Sequence, residues 1–261
     1  MIRSLSKSVF GKSFATRSSH KLEEIHVSQL ASLNDLLIHV DANDKVLGPL
    51  NKLEGHLPEA INSGVFHRAF SVFLFSAGSH KLLIQKRAST KLAFPREWAN
   101  TCCSHPLYSP EDMANVDGNQ IGIKRAASRR LNAELGLSSI KSFAFKEKIV
   151  YAQLSPGGSF GESEVDYILL SRMPLPQVNP NKDEVEQFEW ISPGPENDRL
   201  GPLRQFLSEE NQKGFPPTPW FDLMVTDPEC LELWWNSIII KGDAYLKDTK
   251  EKTVRDFRHI R

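Results

Sequence analysis

The chain has 261 residues, which is long enough for one large domain or two small ones with a sizeable buried core. Hydrophobic residues make up 40% of it and charged residues 25%, as in ordinary globular proteins. Its formal net charge is zero, which excludes a global field that would attract nucleic acid or an anionic membrane. An anionic small molecule would therefore need a local cluster of basic side chains.

Cysteine content predicts a reducing compartment. The chain has only Cys102, Cys103 and Cys230, and two of them are adjacent. Adjacent cysteines rarely bridge each other because the small ring strains the disulfide. The sequence therefore predicts no disulfide framework. No apolar run reaches the roughly 18 residues of a membrane span, so no membrane partner is expected.

The N-terminal 20 residues have a composition of their own. They carry four basic residues and many serines, and no acidic residue precedes Glu23. This composition is typical of a transit peptide, which would indicate a mitochondrial destination, and also of a disordered basic tail. Residues 1–20 are therefore set apart, and the fold is expected in residues 21–261.

Strands are predicted through the first half of the chain. LLIHV (Leu36–Val40) has strand composition, and a return strand begins at Val46 after a turn. The stretch Lys52–Val65 is predicted to be irregular because glycine and proline interrupt it. His67–Phe75 and Lys81–Ala88 are predicted to form a hairpin.

The second half mixes helices with strands. Gly122–Leu137 has helical periodicity with Gly136 as its stop. Further predicted elements are strands at Phe143–Tyr151, Val165–Leu170 and Glu186–Ile191, and an apolar helix from Leu231 to Ile240. Strict strand–helix alternation is absent, so an α+β fold with a mixed sheet fits best.

The predicted helix ends in RRLNAELG, which resembles the core of the Nudix box, G-x5-E-x7-R-E-U-x-E-E-x-G-U. Five residues occupy family positions: Arg129, Leu131, Glu134, Gly136 and Leu137. Ile121, Arg130 and Ala133 stand where the box has glutamates, and Asn115 replaces its first glycine. Nudix hydrolysis uses several carboxylates to hold divalent ions, so this helix indicates a Nudix scaffold without hydrolase chemistry. An ordinary amphipathic helix that ends at a glycine would have the same sequence pattern.

Three histidines and two glutamates could form a metal site. His56, His67 and His105 lie on separate segments, and Glu162 and Glu164 are two apart, so both would face one side of a strand. Histidine and carboxylate ligands suit a borderline divalent cation such as zinc or manganese. Each residue taken alone reads as an ordinary core histidine or a solvated strand face.

Basic residues at Lys52, Arg87 and Lys91 could bind a diphosphate. Ordinary surface charge is the alternative for each of them. The choice depends on the motifs taken together.

Five motifs together resemble type I isopentenyl-diphosphate isomerase, a Nudix-fold enzyme family: HRAFSVFLF, QKRASTKLAFP, NTCCSHPL, RRLNAELG and GESEVDYILL. The resemblance runs from about Leu36 to Trp220 and into the Trp234–Trp235 helix. It implies a Nudix-like mixed sheet sandwiched by helices, in one catalytic domain. It also implies conversion of isopentenyl diphosphate to dimethylallyl diphosphate through a carbocation-like species.

The resemblance also implies the site residues. Cys103 and Glu164 map to the acid–base pair, with Trp220 over the cation and Tyr151 near the acid. The implied metal ligands are His56, His67, His105, Glu162 and Glu164, for Zn²⁺, Mn²⁺ or Mg²⁺. Glu134 would hold the Mg²⁺ that accompanies the diphosphate. The implied diphosphate contacts are Lys52, Arg87, Lys91, Ser104 and Arg130.

Physical chemistry agrees with these implied roles. A proton shift across a five-carbon unit needs an acid and a base on opposite faces, which a thiol and a carboxyl on separate segments can supply. The interval from Tyr151 to Glu162 is one residue longer than the family pattern, which makes the tyrosine assignment the least secure. Ser163 replaces a common histidine, and its side chain should point away from the site.

Two other functions stay open at this point: a Nudix-type diphosphate hydrolase and a non-catalytic metal-binding protein. The expected partner is a small allylic or homoallylic diphosphate, without nucleic acid or membrane, and a monomer is expected. By family the location would be cytoplasmic or peroxisomal.

Overall fold

The computed structural model describes residues 25–115, 118–140, 142–247 and 254–258. The transit-peptide or tail prediction for residues 1–20 lies outside these ranges. Within them, no helix is long and apolar enough to cross a membrane.

One mixed sheet holds the described strands. Their bounds are β1 (Leu36–Val40), β2 (Val46–Asn51), β3 (Phe66–Ser76), β4 (Leu82–Arg87), β5 (Trp98–Ala99), β6 (Cys102–Ser104), β7 (Ala144–Leu154), β8 (Gly161–Met173), β9 (Val185–Ile191) and β10 (Val254–Asp256).

Helices connect and cover these strands. Their bounds are α1 (Val27–Leu30), α2 (Lys52–Gly55), α3 (Pro58–Asn62), α4 (Ile121–Leu135), α5 (Gly201–Gln212), α6 (Pro219–Thr226) and α7 (Leu233–Lys241). A kinked turn at Pro228–Glu232 leads into α7, and a 3₁₀ turn at Gly242–Tyr245 follows it.

The long strand β3 is the centre of the sheet. It pairs parallel with β8 along its length, and antiparallel with β1, β6 and β4 in turn on its other side. β7 continues the sheet beyond β8 as its antiparallel neighbour, and β9 pairs with β4. Because β3 touches so many strands, the side chains that it carries come close to residues from distant parts of the chain.

Both faces of the sheet are covered by helices. Phe73 and Phe75 of β3 point to one face, in a core with α5, α6 and α7. Phe70, Val72 and Leu74 point to the other face, in a core with α4. This alternation follows from the two-residue period of a strand. The predicted α+β fold, with a mixed sheet sandwiched by helices, is confirmed.

Most predicted elements are present, with differences at their ends. α4 ends where predicted, with Gly136 in a left-handed conformation at φ 70°. The irregular conformation predicted for Lys52–Val65 is wrong, because α2 and α3 lie there. Both are single turns, which are too short to give a helical period in the sequence. The sequence analysis also missed α5 and α6.

Candidate active site

The pairing of β3 with β8 brings His67 next to the two glutamates. His67 is the register partner of Glu164 in the parallel ladder. Glu162 precedes Glu164 by two residues on the same strand, so both carboxylates lie on the same face as His67. The even spacing in GESE is therefore what aims both glutamates at one site.

His56 reaches the same site from the end of helix α2. Its Nδ1 donates a hydrogen bond of 2.6 Å to the carbonyl of Lys52, which fixes the ring orientation and leaves Nε2 facing the glutamates. The backbone N–H of Gly161 donates to the carbonyl of His56 at 3.0 Å. The residue before Glu162 is thus tied directly to a histidine of the cluster.

The three imidazoles converge on the carboxylates. Ring centroids lie 4.7 to 5.2 Å apart among His56, His67 and His105. The Nε2 atom of His56 lies 2.9 Å from Oε2 of Glu162, and Nε2 of His105 lies 2.7 Å from Oε1 of Glu164. His67 lies between, with Nε2 at 3.5 Å from an oxygen of each glutamate.

The donor set fits a divalent metal ion. One ligand atom from each histidine and from Glu162 lies within 4.8 Å of all the others. Both ring nitrogens of His67 and Oε2 of Glu162 are buried and have no aligned hydrogen bond. Such buried polar atoms are costly unless something bonds to them. A cation bound between the imidazoles and carboxylates would satisfy them together.

The charges within the histidine–glutamate cluster also favour a bound cation. Burial lowers the pKa of His67, but the carboxylates of Glu162 and Glu164, each 3.5 Å from its Nε2, outweigh burial and raise the pKa to about 9. Burial raises the pKa of Glu162, yet the surrounding histidines hold it well below its usual range. The two carboxylates therefore favour a positive charge at the centre of the cluster, as protons or as a metal ion.

The adjacent cysteines serve opposite faces of the sheet. Both belong to β6, which pairs with β3, so their side chains alternate. Cys102 is fully buried toward α4, with Sγ 3.5 Å from Oε2 of Glu134. Cys103 faces the opposite side, where an N–H of Arg87 points at its Sγ from 3.8 Å. Burial raises the pKa of Cys103 to about 12 although Arg87 lowers it, so its side chain is a neutral thiol.

Aromatic residues line the apolar part of the same cleft. The Tyr151 hydroxyl donates a short hydrogen bond to Oε2 of Glu164. Its ring stacks on Trp220 of α6, with centroids 5.7 Å apart. Trp220 Nε1 donates to Oδ1 of Asn100 at 3.1 Å, which fixes the indole plane. Asn100, missed in the sequence analysis although it opens NTCCSHPL, is thus a positioning residue for Trp220.

One cleft gathers nearly all of the predicted residues. It is lined by twelve of them: Lys52, His56, Arg87, Lys91, Cys103, Ser104, His105, Arg130, Tyr151, Glu162, Glu164 and Trp220. His67 lies behind this lining, within the histidine cluster. The sequence analysis missed four further lining residues: Gln29, Leu92, Ala93 and Glu184.

Glu134 lies behind the cleft rather than on its wall. Its Oε1 accepts two hydrogen bonds from Arg130, at 2.7 and 3.1 Å, while Oε2 faces Gln85 and Cys102. The structure therefore places it beside a predicted diphosphate contact and apart from the histidine cluster. Its assignment to a magnesium ion stays a prediction.

Arg87, a predicted diphosphate contact, also makes several contacts within the protein. Its Nε and one terminal nitrogen donate to the carbonyls of Phe94 and Ala93, at 3.0 and 2.7 Å. Its guanidinium carbon also lies 5.5 Å from the centroid of the Trp220 ring. Arg87 thus holds the loop that carries Leu92 and Ala93 against the cleft.

Replacing Gly161 by alanine is expected to destabilise the fold by about 2 kcal/mol and to weaken metal binding. A Cβ there would lie 2.3 Å from the Gln153 carbonyl oxygen and 2.8 Å from the Leu154 Cα. The strand would have to shift, and Glu162 and the bond to His56 would shift with it. Denaturant unfolding and metal content check this. Gly78→Ala is the control because a Cβ there meets nothing within 4 Å, and equal effects of the two would contradict the argument.

Comparison with known proteins identifies the same family as the sequence motifs. Residues 65–206 match the NUDIX domain family. The chain is 38% identical to isopentenyl-diphosphate Delta-isomerase I of Clarkia breweri, over 87% of this chain and 76% of that one. It is 36% identical to the isopentenyl-diphosphate delta-isomerase of Aspergillus fumigatus, over 97% and 90%. It is 37% identical to isopentenyl-diphosphate Delta-isomerase 1 of Mus musculus, over 85% and 91%.

The matched region contains β3 with His67, the cysteine pair, α4 and the GESE strand, while α2 and α6, which also contribute to the cleft, lie outside it. The chain belongs to the isopentenyl-diphosphate isomerase family of type I, built on a Nudix domain.

Proposed function

We propose that this chain isomerises isopentenyl diphosphate to dimethylallyl diphosphate, with Cys103 and Glu164 as its acid–base pair. One observation carries the proposal. The neutral thiol of Cys103 and the carboxylate of Glu164 lie on different strands and line one cleft, together with the indole of Trp220 and several basic side chains. Membership in the family supports the reaction itself.

The reaction adds one proton to the substrate and removes another from it. Protonation of the terminal CH₂ carbon makes a methyl group and leaves a tertiary cation at the neighbouring carbon. Loss of a proton from the adjacent CH₂ returns the electron pair and forms the new internal double bond. Two groups in one cleft, one able to give a proton and one to take it, perform both steps without a redox cofactor.

Glu164 is held for this task by three neighbours. His105 and His67 lie at its Oε1, and the Tyr151 hydroxyl donates to its Oε2. A divalent ion, held by His56, His67, His105, Glu162 and Glu164, would supply positive charge that tunes the acidity of the carboxyl. We propose Zn²⁺, Mn²⁺ or Mg²⁺ there, and Mg²⁺ at Glu134 with the diphosphate.

Trp220 is proposed to stabilise the cation, while Tyr151 lies beside the acid, Glu164. An aromatic face attracts positive charge through its quadrupole and offers no lone pair that a carbocation would alkylate. Trp220 packs against Phe94 and Tyr151, which fixes its ring. The surrounding apolar wall, with Leu92 and Ala93, limits the access of water to the cation.

The basic side chains of the cleft suit the diphosphate. Lys52, Lys91, Arg130 and Arg87 line the cleft, together with Ser104. Nearby positive charge is the ordinary means by which a neutral protein binds a multiply charged anion. We propose that the diphosphate binds at these cations and that the five-carbon unit lies toward Cys103 and Trp220.

A Nudix hydrolase is the less favoured function. Hydrolysis of a diphosphate requires several helix carboxylates around divalent ions, and α4 carries Ile121, Arg130 and Ala133 where the Nudix box has glutamates. Arg130 instead donates to Glu134.

Incubation of the wild-type protein with isopentenyl diphosphate and Mg²⁺ in D₂O tests the proposal. Proton NMR is expected to show dimethylallyl diphosphate with deuterium incorporated, and no free phosphate. Release of phosphate or pyrophosphate without an allylic product would support hydrolysis instead. Recovery of unchanged substrate, with metal bound, would favour a non-catalytic metal protein.

We also propose that the protein acts as a monomer, in the cytoplasm, in peroxisomes or, if residues 1–20 are a transit peptide, in mitochondria. Imaging of the full chain beside a form that begins at Lys21 separates these locations.

A further inference from the structure

Glu184 is an acidic residue in the part of the cleft assigned to an anion. It precedes β9 and lines the cleft beside Lys52, Lys91 and Arg130. Its Oε2 lies 2.7 Å from Nζ of Lys91 and 3.3 Å from a terminal nitrogen of Arg130. One carboxylate oxygen therefore bridges two of the proposed diphosphate contacts.

The bridge is mostly shielded from water. The side chains of Lys91, Glu184 and Arg130 are 14%, 17% and 25% exposed. Charges this far removed from solvent interact more strongly than surface pairs. Burial raises the pKa of Glu184, but Lys91 and Arg130 outweigh it and lower the pKa to about 2.

The backbone around Glu184 is held by many contacts. Its N–H donates to the carbonyl of Asn181, and its carbonyl accepts from the N–H of Ala88, both at 3.0 Å. The carbonyl of Asp183 accepts from Thr90 Oγ1 at 2.8 Å and from Gln29 Nε2 at 3.4 Å. Its own loop and two distant segments, at residues 88–90 and at Gln29, thus fix the backbone that carries this carboxylate.

Without Glu184 the cations would repel one another. Arg130 would keep its second partner, Glu134, but Lys91 pairs with no other carboxylate within the described part of the chain. Removing one member of a shielded ion pair leaves an uncompensated charge, and the side chains respond by moving apart.

We propose that Glu184 is a positioning residue that holds Lys91 and Arg130 in place for the diphosphate. It acts by preorganisation, since cations that are already placed lose less conformational freedom when the anion binds. The inference rests on the proposed function, because it takes the diphosphate as the ligand. A rival interpretation makes Glu184 an occupant of the anion site that the diphosphate must displace, which predicts the opposite effect on affinity.

Glu184→Gln tests the proposal because it removes the charge and keeps the shape. The dissociation constant of inorganic pyrophosphate, measured by calorimetry in Mg²⁺ buffer, is expected to rise about tenfold. KM for isopentenyl diphosphate should rise by a similar factor, while kcat changes less than about threefold, because Glu184 does not reach the reacting carbons. Glu184→Asp keeps the charge and should lose less affinity than Glu184→Gln.

Glu186→Gln is the matched control. Glu186 also bridges a lysine and an arginine, Lys86 at 2.9 Å and Arg96 at 3.4 Å, but it does not line the cleft. The Glu186→Gln variant should bind pyrophosphate with the affinity of the wild type.

Unchanged or tighter binding by Glu184→Gln would overturn the proposal, as would an equal loss in Glu186→Gln. Pyrophosphate binding is measured without turnover, so this outcome is independent of whether the wild-type protein isomerises isopentenyl diphosphate.

Discussion

Cys103→Ser is expected to lower kcat for isomerisation by about a thousandfold, because a hydroxyl has a much higher pKa than a thiol and exchanges a proton with carbon far less readily. The cleft should otherwise persist. Sulfur and oxygen differ little in size, and the strand pairing of β6 with β3 does not depend on the side chain. Single-turnover and steady-state conversion of isopentenyl diphosphate, followed by NMR, measure the loss.

Two controls separate chemistry from structure. Cys103→Ser should bind pyrophosphate and metal as the wild type does, since Lys52, Lys91, Arg130 and the histidine cluster are unchanged. Cys102→Ser should keep kcat within about tenfold, because Cys102 lies on the face toward α4, against Glu134. If Cys102→Ser were the inactive variant and Cys103→Ser the active one, the assignment within the pair would be wrong.

The two faces of NTCCSHPL explain how far sequence could go. The motif identifies the family and thus the second cysteine. Its short strand, Cys102–Ser104, carries no detectable period, so the faces of the two thiols follow only from pairing with Phe70–Val72 of β3. That pairing turns Cys102 into the core, where it is fully buried.

Long-range contacts are what the sequence left undetermined. The strands of the central sheet were predictable from runs of apolar residues, and GESE gave the shared face of its glutamates. The convergence of His56, His67 and His105 depends on β1, α2, β3 and β6 meeting, which no local pattern encodes. Glu184 escaped notice for the same reason, since its cationic partners lie about 50 and 90 residues earlier.

Tyr151 keeps its place beside Glu164 although the sequence interval to Glu162 is unusual. The interval from Tyr151 to Glu162 is one residue longer than the family pattern. In the structure β7 and β8 pair in a regular register at this end, with Tyr151 opposite Glu164, and the connection Ser155–Phe160 holds the turn. The Tyr151 hydroxyl therefore reaches Glu164 as the resemblance implies.

His67→Ala is expected to remove the divalent ion from the histidine cluster and to reduce turnover by more than about a hundredfold. His67 is fully buried, and its ring lies between the other two imidazoles and both glutamates. Its loss would leave four of the five proposed ligands around a widened cavity, with two carboxylates close together and less positive charge between them. Elemental analysis of the purified protein measures the ion, and thermal unfolding with and without a chelator measures its contribution to stability.

Two companion variants decide what the cluster does. Glu162→Gln removes one ligand charge with little change of shape, so it should lose metal even if His67→Ala fails to fold. His39→Ala is the control: His39 faces His67 across the β1–β3 pairing but does not belong to the group that could hold an ion. It should keep wild-type metal content. If the wild-type protein binds no ion, yet His67→Ala and Glu162→Gln are both less stable while His39→Ala is not, the histidines and glutamates form a buried ion-pair network. Their role in the reaction would then be limited to placing Glu164.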